Sequence, residues 1–118
     1  MIKNKVFTRK STDEFGNLEL SFEFYGYLED IDIDFGELET DAHIVFTTSN
    51  GKTFELKGNN SNVFPISPRT SINTKGMEHL SDANTPLQRY VNAGPFKVSI
   101  DSGGINKDLG YLEVIYEV

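Results

Sequence analysis

The sequence predicts an all-β fold, an antiparallel two-sheet β-sandwich, jelly-roll type included, with at most one short helix. Three observations point there: apolar and polar residues alternate with a period of two in several segments, Asn50-Gly51 sits between two strand-like runs, and turn residues separate seven or eight such segments. A period of two places alternate side chains on opposite faces of a strand, so each run is read as a half-buried strand.

In residues 17–29, Leu18, Leu20, Phe22 and Phe24 share one face, and Glu19, Ser21, Glu23 and Tyr25 the other. Gly26 interrupts the run and Tyr27-Leu28 resume it, which suggests a bulge or bend at a sheet corner. From Asp30 to Phe35 the aspartates face outward and Ile31, Ile33 and Phe35 inward, and Gly36 ends the segment. Residues 43–48 and 52–57 flank Ser49-Asn50-Gly51 as a hairpin, with Asn50-Gly51 the favoured pair for a type I′ turn in which both residues take positive φ. Residues 58–62 read as a loop, and 63–68 as a short edge segment bounded by Pro65 and Pro68, which cannot donate ladder hydrogen bonds. Residues 69–84 show no period and read as an excursion over the surface. Thr85-Pro86-Leu87-Gln88 has capping-box form, which predicts a short helix over 86–92, with extension of a strand over 87–91 as the alternative. Residues 96–100 alternate again, Gly103-Gly104 mark a turn, and 111–118 close the chain as a strand with apolar residues on both faces, hence central or covered.

At 118 residues the chain has the size of one domain, 1–118, and nine Phe with five Tyr supply a core. The absence of cysteine removes disulfides, thiol nucleophiles and Cys-containing zinc sites. No signal-peptide stretch or apolar span is present, so synthesis in the cytoplasm without export is expected. Charge is segregated: residues 1–10 carry Lys3, Lys5, Arg9 and Lys10 and no acid, and read as a basic N-terminal arm. Residues 11–51 carry eleven acids and no Lys or Arg, and seven bases balance seven acids from Lys52 onward. The acidic half repels phosphate backbones, so neither nucleic acid nor membrane is an expected partner.

Asp30, Asp32, Asp34, Glu37, Glu39 and Asp41 invite comparison with a calcium loop, but Phe35 stands where an EF-hand has glycine and Asp41 stands at its twelfth position. Carboxylates two apart on a strand are separated by roughly 6.6–6.8 Å, too far for shared coordination without a bend. The row is read as a solvated face, with no metal and no cofactor. His43 and His79, the two histidines, lie in no nucleophile-elbow context, and 103–107 lacks phosphate-loop spacing. Catalysis is not expected.

The closing run Gly110-Tyr111-Leu112-Glu113-Val114-Ile115-Tyr116-Glu117-Val118, with the cysteine-free strand pattern over most of the chain, resembles small β-sandwich structural and accessory proteins of tailed-phage virions. That resemblance implies a virion component, a capsid cement or decoration protein or a neck or tail accessory protein, partnered by copies of itself or by other virion proteins. The candidate contact residues are Lys3, Lys5, Arg9 and Lys10, the acidic row Asp30, Asp32 and Asp34, and Arg69 and Tyr90. In a ring or lattice, residues 1–10 of one copy would lie on the acidic face of its neighbour; the competing arrangement pairs them with the chain's own acidic strand. A carbohydrate-binding module, with tyrosines as stacking surfaces and calcium at the acidic row, is the alternative function.

Overall fold

The organising element is one long strand, β2 (Leu18–Asp34), which changes partners halfway along. The structure, a computed structural model, describes residues 1–57, 63–66, 68, 70–71 and 87–118. The other strands are β1 (Ile2–Ser11), β3 (His43–Thr47), β4 (Thr53–Lys57), β5 (Val63–Ile66), β6 (Thr70–Ser71), β7 (Leu87–Gln88), β8 (Val91–Asp101) and β9 (Asp108–Glu117). All pairings are antiparallel: one sheet runs β1-β9-β2-β8-β3-β4 with β5 also paired to β2, and β6 and β7 form a two-stranded ribbon. No helix occurs among the described residues.

Residues 18–27 of β2 pair with β8, and residues 27–34 pair with β9, with a register shift between Leu28 and Asp30. The shift accounts for the change of inward parity along the strand: Leu20, Phe24 and Leu28 are buried before it, and Ile31 and Ile33 after it. The corner expected at Gly26 therefore extends to Asp30. Seventeen residues at roughly 3.3 Å each span about 56 Å if straight. Yet Gly103 donates its N–H to Gly16 O, just before β2, and accepts from Glu39 N, just after it, both at 3.1 Å. The strand must fold back on itself.

Rings meet across that fold. Tyr116 of β9 stacks on Phe24 (centroids 4.4 Å) and lies 5.7 Å from Phe22, and Phe7 of β1 meets Phe22 edge-on at 5.9 Å, although neither β1 nor β9 is bonded to that half of β2. Phe35, Phe46, Phe96, Ile44, Val98, Ile100, Leu112 and Val114 complete a single core.

Several expectations need correction. The segment 86–92 is not a helix: 87–88 are β7 and Val91-Asn92 open β8, with Val91 paired to Tyr27; Pro86 lies outside the described residues. A capping-box spacing is a weak local preference, and sheet pairing overrides it. The 43–57 hairpin forms, but its turn is not type I′. Gly51 N bonds Thr48 O at 3.0 Å and Thr48 N bonds Lys52 O at 2.8 Å, while Gly51 (φ 86) has positive φ and Asn50 does not. A three-residue loop ending in a left-handed glycine is the pattern, held by the Thr48 hydroxyl, which accepts from Lys52 N at 3.2 Å. Residues 1–10 are no loose arm, since β1 is paired along its length with β9. Loop 58–62 and, apart from residues 70–71, the stretch 69–84 lie outside the described residues.

Candidate interaction surfaces

β1 is the outermost strand on its side of the sheet, and of its ten residues only Phe7 is buried. Lys3 stands opposite Tyr116, Lys5 opposite Val114 and Phe7 opposite Leu112, so these two lysines lean toward the core-facing side at its rim. Lys5 Nζ sits 5.4 Å from the centre of the Phe7 ring. Cations turned inward on an edge strand oppose pairing with another edge, because a neighbour would trap them between layers. Among the described residues, none of Lys3, Lys5, Arg9 and Lys10 forms an ion pair.

The acidic row lies on the other face of the same sheet. Asp30, Asp32 and Asp34 stand opposite Ile115, Glu113 and Tyr111, and Glu113 accepts from Asn4 Nδ2 at 2.7 Å. β9 separates the row from β1, and Lys3 and Lys5 point away from it, so the chain does not neutralise its own aspartates with these lysines. Asp32 directly faces Glu113, a like-charge pair that slightly weakens the sheet at that point. Desolvation, then the Asp32, Asp34 and Glu113 carboxylates, push the Tyr111 phenol above its ordinary value. Among the described residues, no group of three or more His, Asp or Glu is arranged to hold a metal ion.

Tyr90 contributes little surface: it is 8% exposed and stacked on Phe54 at 4.8 Å. Arg69 and His79 lie outside the described residues. His43 bridges two exposed carboxylates, Nε2 at 2.8 Å from Glu55 and Nδ1 at 3.5 Å from Asp101.

Two features escape sequence reasoning because their parts are far apart in the chain. The first centres on Arg89, whose guanidinium pairs with Glu29 and Glu117 and lies 4.4 Å over the Tyr27 ring. Tyr27 is itself exposed, as are Val91, its pairing partner, and Tyr25 on the same strand. Hydrogen bonding and charge from Arg89 hold the Glu117 carboxyl below its ordinary value, and the two glutamates raise Arg89. A depressed carboxylate adds stability that is complete above the ordinary glutamate range and is lost as pH falls from that range through the depressed value. Arg89→Met is thus expected to lower stability modestly near neutrality and to make the acid limb of a thermal-stability profile shallower by the same amount, so that the two profiles converge at low pH. An unchanged acid limb would remove Arg89 from the acid response.

The second is the loop end. Thr12, 3% exposed, donates to Gly104 O at 2.6 Å and accepts from Lys107 N at 2.8 Å, while Asn106 N bonds Asp13 O at 3.1 Å. Asp13 Oδ1 accepts from Phe15 N and Asn17 N at 2.8 and 2.9 Å, bonds that hold its carboxyl below the ordinary value. Ser102 (φ 56) and Asn106 (φ 51) are left-handed in the same pair of interlocked loops. From this bonded platform Phe15 and Ile105 project, 77% and 64% exposed. No protein-family model matches the chain and no curated protein is significantly similar to it, so these surfaces must be interpreted from their own chemistry.

Proposed function

We propose that the protein is a non-enzymatic assembly subunit that works through protein–protein contacts, and that the assembly is a virion: a capsid cement or decoration protein, or a neck or tail accessory protein. Its architecture, in this reading, is a two-layer sandwich in which β2 belongs to both layers, β4-β3-β8 with its first half and β1-β9-β5 with its second. The partner switch, the joint bonding of both ends of β2 to Gly103, and the Phe22, Phe24 and Tyr116 ring contacts support that arrangement.

The observation that carries the functional reading is the separation of opposite charge on the two faces of one sheet. Lys3 and Lys5 on β1 and Asp32 and Asp34 on the opposite face of the same sheet form no ion pair among the described residues, which leaves each copy with complementary charged surfaces. Copies of the chain can satisfy them between molecules, and a regular array of one subunit is the outcome of such contacts.

Size-exclusion chromatography with light scattering is expected to give a mass above 13.3 kDa at low ionic strength and a shift toward the monomer at about 0.5 M salt, where charges more than several ångströms apart are screened. A monomer at every salt concentration would remove self-assembly. Stoichiometric recovery of the chain from purified particles tests the virion assignment, and its absence there overturns it.

A further inference from the structure

We propose that the loop end of one copy docks on the cationic rim of β1 in a second copy, with Phe15 as the anchor, flanked by Asp13 and Glu14 and supported by Ile105. The inference rests on the self-assembly reading and makes the loop-end carboxylates, in place of the β2 aspartates, the partner of the β1 cations.

The donor surface is a preorganised knob. Most surface apolar residues need no explanation, but Phe15 is carried by a loop fixed through Asp13, Gly16 and Thr12, with two left-handed residues in the adjoining loop. Little ordering entropy is then lost when the ring is covered. The surroundings select the partner: Asp13, Glu14, Glu37 and Glu39 make this end acidic, with Lys107 as a cation among them. An acidic rim around an apolar tip fits a surface with cations around apolar rings.

The chain carries such a surface at the β1 rim. Phe7, Phe22 and Tyr116 form a ring cluster there, Phe22 and Tyr116 only half-buried, with Lys5 over Phe7 and Lys3 opposite Tyr116. Among the described residues those two lysines have no carboxylate partner. A carboxylate of Asp13 or Glu14 from a neighbour supplies one, and the Phe15 ring covers the exposed aromatic edges. Because the two surfaces differ, the contact is heterologous and propagates head to tail, into a ring if the rotation closes and a filament if it does not.

Sedimentation velocity on the full chain, over a concentration series in low salt, tests this. Wild type is expected to associate progressively. Phe15→Ser, and separately Lys3→Glu with Lys5→Glu, should each weaken association at least tenfold without lowering the thermal midpoint, since these side chains are exposed. Mixing the two variants is the decisive arm: one retains a rim, the other a knob, so the mixture should form heterodimers and stop there. Variants that associate as wild type does, or a mixture that stays monomeric, overturn the docking proposal while leaving self-assembly standing. A wild type that is monomeric throughout overturns both. If instead wild type, but not Phe15→Ser, co-sediments with phosphatidylcholine vesicles and neither self-associates, the knob faces lipid and the proposal falls.

Discussion

Gly26→Ala is expected to lose about 3 kcal/mol or more of folding stability, or to prevent native folding altogether. The residue has φ 154, and a Cβ placed on it would lie 1.9 Å from the carbonyl oxygen of Glu117, a backbone atom that cannot swing aside. Moving β9 away would break the Tyr27–Glu117 pairing where β2 takes up its second partner. Gly51→Ala separates collision from backbone preference: Gly51 is also left-handed (φ 86), but nothing lies within 4 Å of the added carbon, so the loss there should be only about 1 kcal/mol. Urea unfolding of both variants checks the contrast, and equal losses would show that the approach to Glu117 is not what demands glycine.

A comparable loss, about 4 kcal/mol, is expected from Asn92→Asp. Asn92 is 1% exposed, and its amide joins three segments: Nδ2 donates to Phe24 O and Gly94 O, and Oδ1 accepts from Ser49 N, each at 2.8 Å. An aspartate of the same shape keeps the acceptor and loses both donors, setting a buried carboxylate against two carbonyl oxygens. Its folded pKa must rise above the unfolded value, so the folded state binds more protons and stability falls as pH rises. The variant should therefore regain part of its loss on going from pH 7 to pH 5, where wild-type Asn92 has nothing to titrate. A loss independent of pH would mean that the site admits water or rearranges.

Much of the strand content was legible in the sequence because burial on one face imposes the two-residue rhythm. Leu20 and Phe24 before the corner, Ile31, Ile33 and Phe35 after it, and Phe96, Val98 and Ile100 near the end all lie inside as their alternation requires. The corner was harder to locate, because Tyr27 and Leu28 continue the alternation past Gly26 and hide the shift at Leu28–Asp30. β1 escaped because its inward side mixes Lys3 and Lys5 with Phe7, so the rim of the sheet has no clean apolar face. The interaction surfaces were legible only as charge zones: the β1 cations and the aspartates are where composition puts them, but their placement on opposite faces depends on β9, brought between them from the far end of the chain. Arg89 with Glu29 and Glu117, and the Phe15 knob over the 102–107 loop, depend on contacts between distant residues that no local pattern encodes.

Since β2 supplies ladder hydrogen bonds to β8, β9 and β5 alike, none of these three strands can come loose without breaking its ladder with β2, whereas the outer strands β1 and β4 bond only β9 and β3. Amide exchange should then report one opening free energy across β2, β8 and β9, with the most protected positions in β2 on both sides of the corner. The chain should melt as one unit, and cutting it at the corner should yield no fragment able to hold its shape alone.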